Sequence, residues 1–301
     1  MIHPPRRVAV SLGAAVLLCT AAAATQPSRA EQRAAAGVDR AIAELGSAAG
    51  RGEAIRAARG ILDAAESVLS AFNAGARVRD RTYARHQAAL REVDALAVRC
   101  DNGYPCDTDR RGNTGVVYFD GLADAYARAW EARSRLSAAN AAYVEAVGMA
   151  GADEARERAA RFRRYAIRMP RLRGNSNHML ARQRVLIRAS NAENDSHNAL
   201  HDRAVAAHMA ANHAALDALG RAARALSTAA GHLIDDESPD RRAGRVTRAA
   251  ARANRAAAAA ADPAIPNDGN RTDETLDELV DAARETFAAL EQHDRLVGRG
   301  R

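Results

Sequence analysis

The chain is predicted to be all-α: an elongated antiparallel helical bundle or coiled coil of about seven to eight helices, with one short disulfide-closed loop. Three observations carry this expectation. About a quarter of the 301 residues are alanine and only 4% are aromatic, so the chain favours helix and has little bulk for a wide core. Apolar residues recur three and four apart along most of its length, as one helical face requires. A heptad pattern also persists from Asn194 to Leu233, where one row reads Asn198, Val205, Asn212, Leu219, Leu226 and Leu233. The neighbouring row reads Asn194, His201, His208, Ala215, Ala222 and Ala229, so half of this seam is polar.

Met1–Arg7 is basic, Val8–Ala24 is apolar, and Ala22–Ala24 supplies small residues for cleavage. Residues 1–24 therefore read as a signal peptide, and the mature protein is expected in the periplasm or secreted. Ser11, Gly13 and Thr20 interrupt the apolar run, which ranks a retained membrane anchor second. Leu18 before Cys19 argues against a lipoprotein signal, and Arg6-Arg7 is an ordinary basic start more than a twin-arginine address. No other stretch is apolar enough to span a membrane.

The first helix, 31–45, shows Val38, Ile42 and Leu45 before Gly50 and Gly52. The second carries Ile55, Ala58, Leu62, Ala65, Leu69 and Phe72 on one face. Asn73–Arg79 reads as a break, and a third helix then follows with Tyr83, His86, Leu90, Val93 and Ala97. Cys100 and Cys106 flank two turn signals, Asn102-Gly103 and Tyr104-Pro105, and in an exported protein they are expected to form a structural disulfide. Asp107–Gly112 begins like a calcium loop but fails at Arg111 and Tyr118.

Val117–Val147 is expected to be the strongest packing helix, with Phe119, Leu122, Tyr126, Ala129, Arg133, Leu136, Asn140, Tyr143 and Val147 inward. Gly148 and Gly151 end it. These glycines suggest a division into an N-terminal helical unit, 25–150, containing the 100–106 loop, and a basic C-terminal region, 151–301. The latter holds a helix to about Met169 with Ala159, Phe162, Ala166 and Met169 inward, a break at Pro170–Asn177, a long helix from His178, and a terminal hairpin. Ser238-Pro239 is expected to start the first hairpin helix and Thr272 to cap the second, whose inward face is Leu276, Val280, Ala283, Phe287 and Leu290.

The net charge is +7, and loss of Arg6 and Arg7 with the signal peptide would lower it by two. All 44 basic residues are arginine, so the chain has no lysine for a phosphate loop, a kinase site or a Schiff base. Residues 156–188 hold eleven arginines and one acid, Glu157. Acids three or four residues away are almost absent, so this field must be met by another segment or another molecule. Arg161, Arg164, Arg168, Arg171 and Arg173 are the candidate polyanion-binding residues, because the guanidinium fork suits phosphate and carboxylate groups. Expected partners are an acidic envelope component or an acidic protein, with peripheral contact to an anionic membrane as one form. Nucleic acid is weakly supported, since Phe162 and Tyr165 fit an inward helical face as well as a stacking platform.

Arg241, Arg245, Arg248, Arg252 and Arg255 share one face of their helix, and Glu274, Glu278, Asp281 and Glu285 repeat the spacing on the next. Both rows lie opposite an apolar or alanine face, so they are expected to point outward and to support head-to-tail self-association. His197 and His201, one turn apart, define the alternative reading as a zinc or copper protein. A metal would need a further ligand from another helix, and no His-Glu-x-x-His signature is present. The favoured reading of the histidines is as polar seam residues that fix helix register, with no cofactor. No nucleophile motif identifies an enzyme, and an uncharacterised all-α enzyme is the third reading, after the metal-binding one. The expectation is an exported, non-enzymatic binding or assembly protein.

Overall fold

The computed structural model describes residues 28–96, 120–173, 176–234 and 243–298. The described residues form seven α-helices: α1 (Arg29–Gly46), α2 (Arg51–Ala95), α3 (Asp120–Ala146), α4 (Ala152–Arg168), α5 (Asn177–Ile234), α6 (Ala243–Ala259) and α7 (Gly269–Gly298). Short 3-10 turns at Met169–Leu172 and Ile265–Asn267 join α4 to α5 and α6 to α7. There are no strands among the described residues. The signal peptide, Cys100 and Cys106 with their loop, Phe119, Arg241 and the Ser238-Pro239 start all lie outside the described residues.

The 58-residue α5 is the axis on which the other helices are arranged; at 1.5 Å per residue it is about 87 Å long. Its N-terminal half packs with α3 and α4, its C-terminal half with α1, α6 and α7, and α2 runs beside both. Contacts give the directions. His86 meets His197 and Asp80 approaches His208, so α2 and α5 are antiparallel. Arg133 meets Asn194, Asn140 meets His201 and Tyr143 meets His208, so α3 and α5 are parallel in a nearly constant register.

Two apolar cores lie toward the two ends of this axis. Val38, Ile61, Phe72, Leu216, Leu219, Leu226, Leu276, Leu279 and Phe287 fill one with alanines between them. Tyr126, Trp130, Phe162, Met169, Leu186 and Ile187 fill the other. Alanine makes the first arrangement possible: a one-carbon side chain lets helix axes approach closely, and each interleaved leucine then contributes about 1.5–3 kcal/mol of burial. Because α3 and α4 share the second core, the Gly148–Gly151 turn at the expected domain division does not separate two cores.

The expected break at Asn73–Arg79 does not occur; α2 runs unbroken through it. Gly75 is there for space, not for a turn. A Cβ at this position would stand 2.7 Å from Arg79 Nη1 and 2.9 Å from Glu31 Oε1. Those two atoms form an ion pair at 2.8 Å in which Arg79 is only 3% exposed. Glu31 also closes a reciprocal cap at the start of α1, accepting from Ser28 N at 2.8 Å while Ser28 Oγ accepts from Glu31 N at 3.2 Å. One carboxylate thus fixes the beginning of α1 onto the middle of α2.

Two further expectations are corrected. Thr272 is not a cap: it is fully buried inside α7, and its hydroxyl lies 2.8 Å from Ile265 O and 2.9 Å from Asp268 O. Asp268 stands at the cap, its Oδ1 accepting from Arg271 N at 3.2 Å. Asn198 is exposed and outside the seam, whereas His197 beside it is buried. A heptad drifts about 20° per repeat on a straight α-helix, so a row that is inward at Leu219 has rotated outward three heptads earlier.

Candidate anion-binding groove

The arginine-rich stretch folds into α4, the 3-10 turn and the beginning of α5, and the structure divides its charges into two sets. One set is neutralised within the chain. Arg156 pairs with Glu145 and Asp153, both at 2.6 Å. Arg158 is fully buried and reaches Glu154 at 2.7 Å and Ser196 at 2.6 Å, with Glu193 at 3.5 Å. Arg161 grips the same Glu193 with two nitrogens, which raises its pKa. Arg173 pairs with Asp124 at the start of α3. Arg161 and Arg173, expected to bind a polyanion, therefore hold α4 to α5 and the turn to α3. The sequence-local charge excess is met partly by acids far away along the chain.

Of the other seven arginines, three line an open groove of about 600 Å³. Arg168 and Arg171 line one side and His178 and Arg182 the other, over a floor that includes Leu172, Met179 and Leu186. Arg168, Arg171 and Arg182 form no salt bridge among the described residues. The groove arises from helical spacing. Arg164, Ile167, Arg168 and Arg171 follow the i, i+3, i+4, i+7 pattern on α4 and its continuation, and His178, Ala181, Arg182 and Val185 follow it on α5. All eight are exposed, so two such faces flank one cleft. Arg164 is exposed beside this set without lining the groove. Arg182 and His178 are the additions that the structure makes; their separations of eleven and seven residues from Arg171, across the turn, hid a shared cleft.

Phe162 is 1% exposed, and Tyr165 packs edge-on against both Phe162 and Trp130. Burial and the nearby Glu193 raise the Tyr165 pKa against the pull of three arginines. Phe162 is closed to a base, and Tyr165 is half-buried.

A second cluster lies midway along α5. His86 Nε2 from α2 stands 3.3 Å from His197 Nε2, the rings nearly coplanar with centroids 5.5 Å apart, so they meet end to end. His201 stacks face to face on His86 with centroids 3.9 Å apart, and its Nδ1 lies 3.3 Å from Asn140 Oδ1. His208 Nδ1 lies 3.1 Å from the Tyr143 hydroxyl. Burial, then the neighbouring His201 and His197, pushes His86 down to about 3; burial, then His201, Arg158 and Arg133, pushes His197 down to about 4. Burial also lowers His201 and His208 and, with Tyr83, raises Tyr143. His197 and His201 thus sit among neutral rings, with His86 as the cross-helix neighbour that their spacing alone did not reveal. Among the described residues no group of three or more His, Cys, Asp or Glu is arranged to hold a metal ion.

The terminal rows do not both point away from one another as expected. Arg252 Nη1 binds Glu285 Oε2 at 2.7 Å and Arg245 Nη1 binds Gln292 Oε1 at 2.7 Å. The alanine contact brings α6 and α7 so close that arginines at the edge of the charged face reach across the flank. Asp281 pairs with Arg284 at 3.1 Å, and Arg248, Arg255, Glu274 and Glu278 are exposed.

Comparison with known protein families, curated proteins and solved structures finds no match.

Proposed function

We propose that this protein is an exported, non-enzymatic binding component of the cell envelope, built as an elongated helical bundle, that holds anionic groups in the arginine groove between α4 and α5. The observation that carries the reading is the convergence of Arg168, Arg171 and Arg182 on one cleft without a carboxylate partner. Guanidinium groups left outward while their neighbours are paired inward are available to phosphate or carboxylate oxygens. Helices packed on both sides hold the groove's shape, so little ordering opposes binding. The arginine pairs of the same stretch have a structural role.

The test is titration of the full mature chain with inorganic polyphosphate at low and high salt. Replacing Arg168, Arg171 and Arg182 with Gln should weaken binding at least about tenfold, since a charged hydrogen bond is worth about 1.5–3 kcal/mol. Replacing Arg248 and Arg255 with Gln, exposed charges on α6, should leave it nearly unchanged. Equal losses from both sets would reduce the effect to general positive charge and remove the groove from the account.

A further inference from the structure

The 35 residues between Glu157 and Glu193 contain no acid. Among the described residues the exposed large hydrophobics are Val78, Ile167 and Val185; Val185, 62% exposed, lines the groove, and Ile167, 53% exposed, stands next to the groove-lining Arg168 without lining it. Ile167 adjoins Arg168 in sequence, and Val185 lies one turn beyond Arg182 while lining the groove itself. Each helix therefore presents aliphatic and cationic side chains on the same outward face, which is the reverse of ordinary amphipathic sorting. An aqueous polyanion such as polyphosphate uses the arginines and gains nothing from Ile167, Val185, Leu172 or Met179. A nucleic acid would use aromatic platforms, and of the two such rings in this stretch Phe162 is buried and Tyr165 half-buried against it and Trp130. A ligand with phosphate beside hydrocarbon uses both kinds of side chain.

We propose that the α4–α5 end of the molecule docks peripherally on an anionic phospholipid surface. Arg168, Arg171 and Arg182 lie at the level of the lipid phosphates, and Ile167 and Val185 enter the boundary between headgroups and acyl chains. The proposal rests on the groove being an anion site, and it names the surface that site meets. Charge complementarity supplies the attraction, because basic side chains are drawn to the negative potential of such a leaflet and long arginine stems reach it while keeping their heads wet. The two aliphatic side chains supply the part of the binding that salt does not screen. Both signals together are needed, since either alone gives weak, reversible contact. No helix of the described residues is long and apolar enough to cross a membrane, so the contact is made from one side.

The experiment is co-sedimentation of the full mature chain with vesicles of phosphatidylcholine alone and of phosphatidylcholine with about 30% phosphatidylglycerol, at low and high salt, alongside polyphosphate titration. The parent protein should bind the anionic vesicles and not the neutral ones. R168Q/R171Q/R182Q should lose both vesicle and polyphosphate binding, with about a fivefold fall in partitioning per arginine. I167S/V185S should lower vesicle partitioning by about tenfold or more, and I167S alone, outside the groove lining, should leave polyphosphate binding unchanged. As a readout independent of affinity, V185W should show a blue-shifted emission and quenching by brominated acyl chains on anionic vesicles only. Vesicle binding unaffected by I167S/V185S, or V185W that stays in water, overturns membrane docking. Polyphosphate binding without vesicle binding overturns it too while leaving the anion groove standing, whereas absence of both removes the groove as well.

Discussion

Three imidazoles in contact, His86, His197 and His201, should make the protein sensitive to acid. Where His86 and His197 meet through Nε2, one ring must donate and the other accept, and both Nδ1 atoms are buried without a partner. A second proton on this pair would place a cation among Arg158, Arg133 and a neighbouring His201, with Asp202 the acid that acts on His201. The folded pKa values, about 3 and about 4, lie below the usual 6.5. The stability that this contributes is complete above about pH 6.5. It is lost as pH falls through the unfolded value toward the folded ones, by up to about 1.4 kcal/mol per pH unit for each imidazole. Urea unfolding between pH 7 and pH 4 should therefore show falling stability, with a smaller slope in His86→Leu. Zinc and copper should leave the melting temperature of the parent unchanged. A metal-dependent rise abolished by His86→Ala would instead establish the pair as a ligand site.

Glycine means different things at two positions in the long helices, and the difference is measurable. In α2, Gly75 makes room for the Arg79–Glu31 pair, and an added Cβ would meet both partners below contact distance. Alanine there gains about 1 kcal/mol of helix propensity and displaces a buried ion pair whose loss costs about 3–5 kcal/mol. Gly75→Ala should destabilise the protein by roughly 2–4 kcal/mol. In α5, a Cβ on Gly231 would meet nothing within 4 Å. Gly231→Ala should stabilise by about 0.5–1 kcal/mol, the ordinary helical gain. Thermal unfolding followed by circular dichroism distinguishes the two; a stabilising Gly75→Ala would mean that the ion pair moves aside freely.

For the whole molecule, self-association through the terminal charge rows is weaker than row-to-row matching implies. Arg252 and Arg245 are already satisfied by Glu285 and Gln292 within the hairpin. Among the described residues of the two rows, Arg248, Arg255, Glu274 and Glu278 remain for docking a second copy, at about 0–1 kcal/mol per exposed pair. Sedimentation at low salt and high concentration should show slight, salt-sensitive association, and reversal of Glu274 and Glu278 to arginine should abolish it. A dimer that persists in high salt, or survives that reversal, would place the interface elsewhere.

Periodicity made most of the helical faces legible. The inward positions of α4 and α7 and, from Tyr126 on, those of α3 except the half-buried Arg133 are buried as their spacing requires, because one face of a helix must be covered whatever covers it. The density of arginine between 156 and 188 was legible for the same reason: it is a property of the chain. Spacing along one helix carries no information about the neighbour that a side chain meets. Thus Gly75 resembled a break until Arg79 and Glu31 were placed over it, and the outward arginine row of α6 proved partly engaged by α7. Asp124 and Glu193, distant in sequence, took Arg173 and Arg161 out of the candidate anion set. Sequence alone determined the helical class and where positive charge accumulates, both of which follow from local composition and period. Tertiary structure decided which charges are satisfied, because an ion pair depends on distances of a few ångströms between helices that only packing sets.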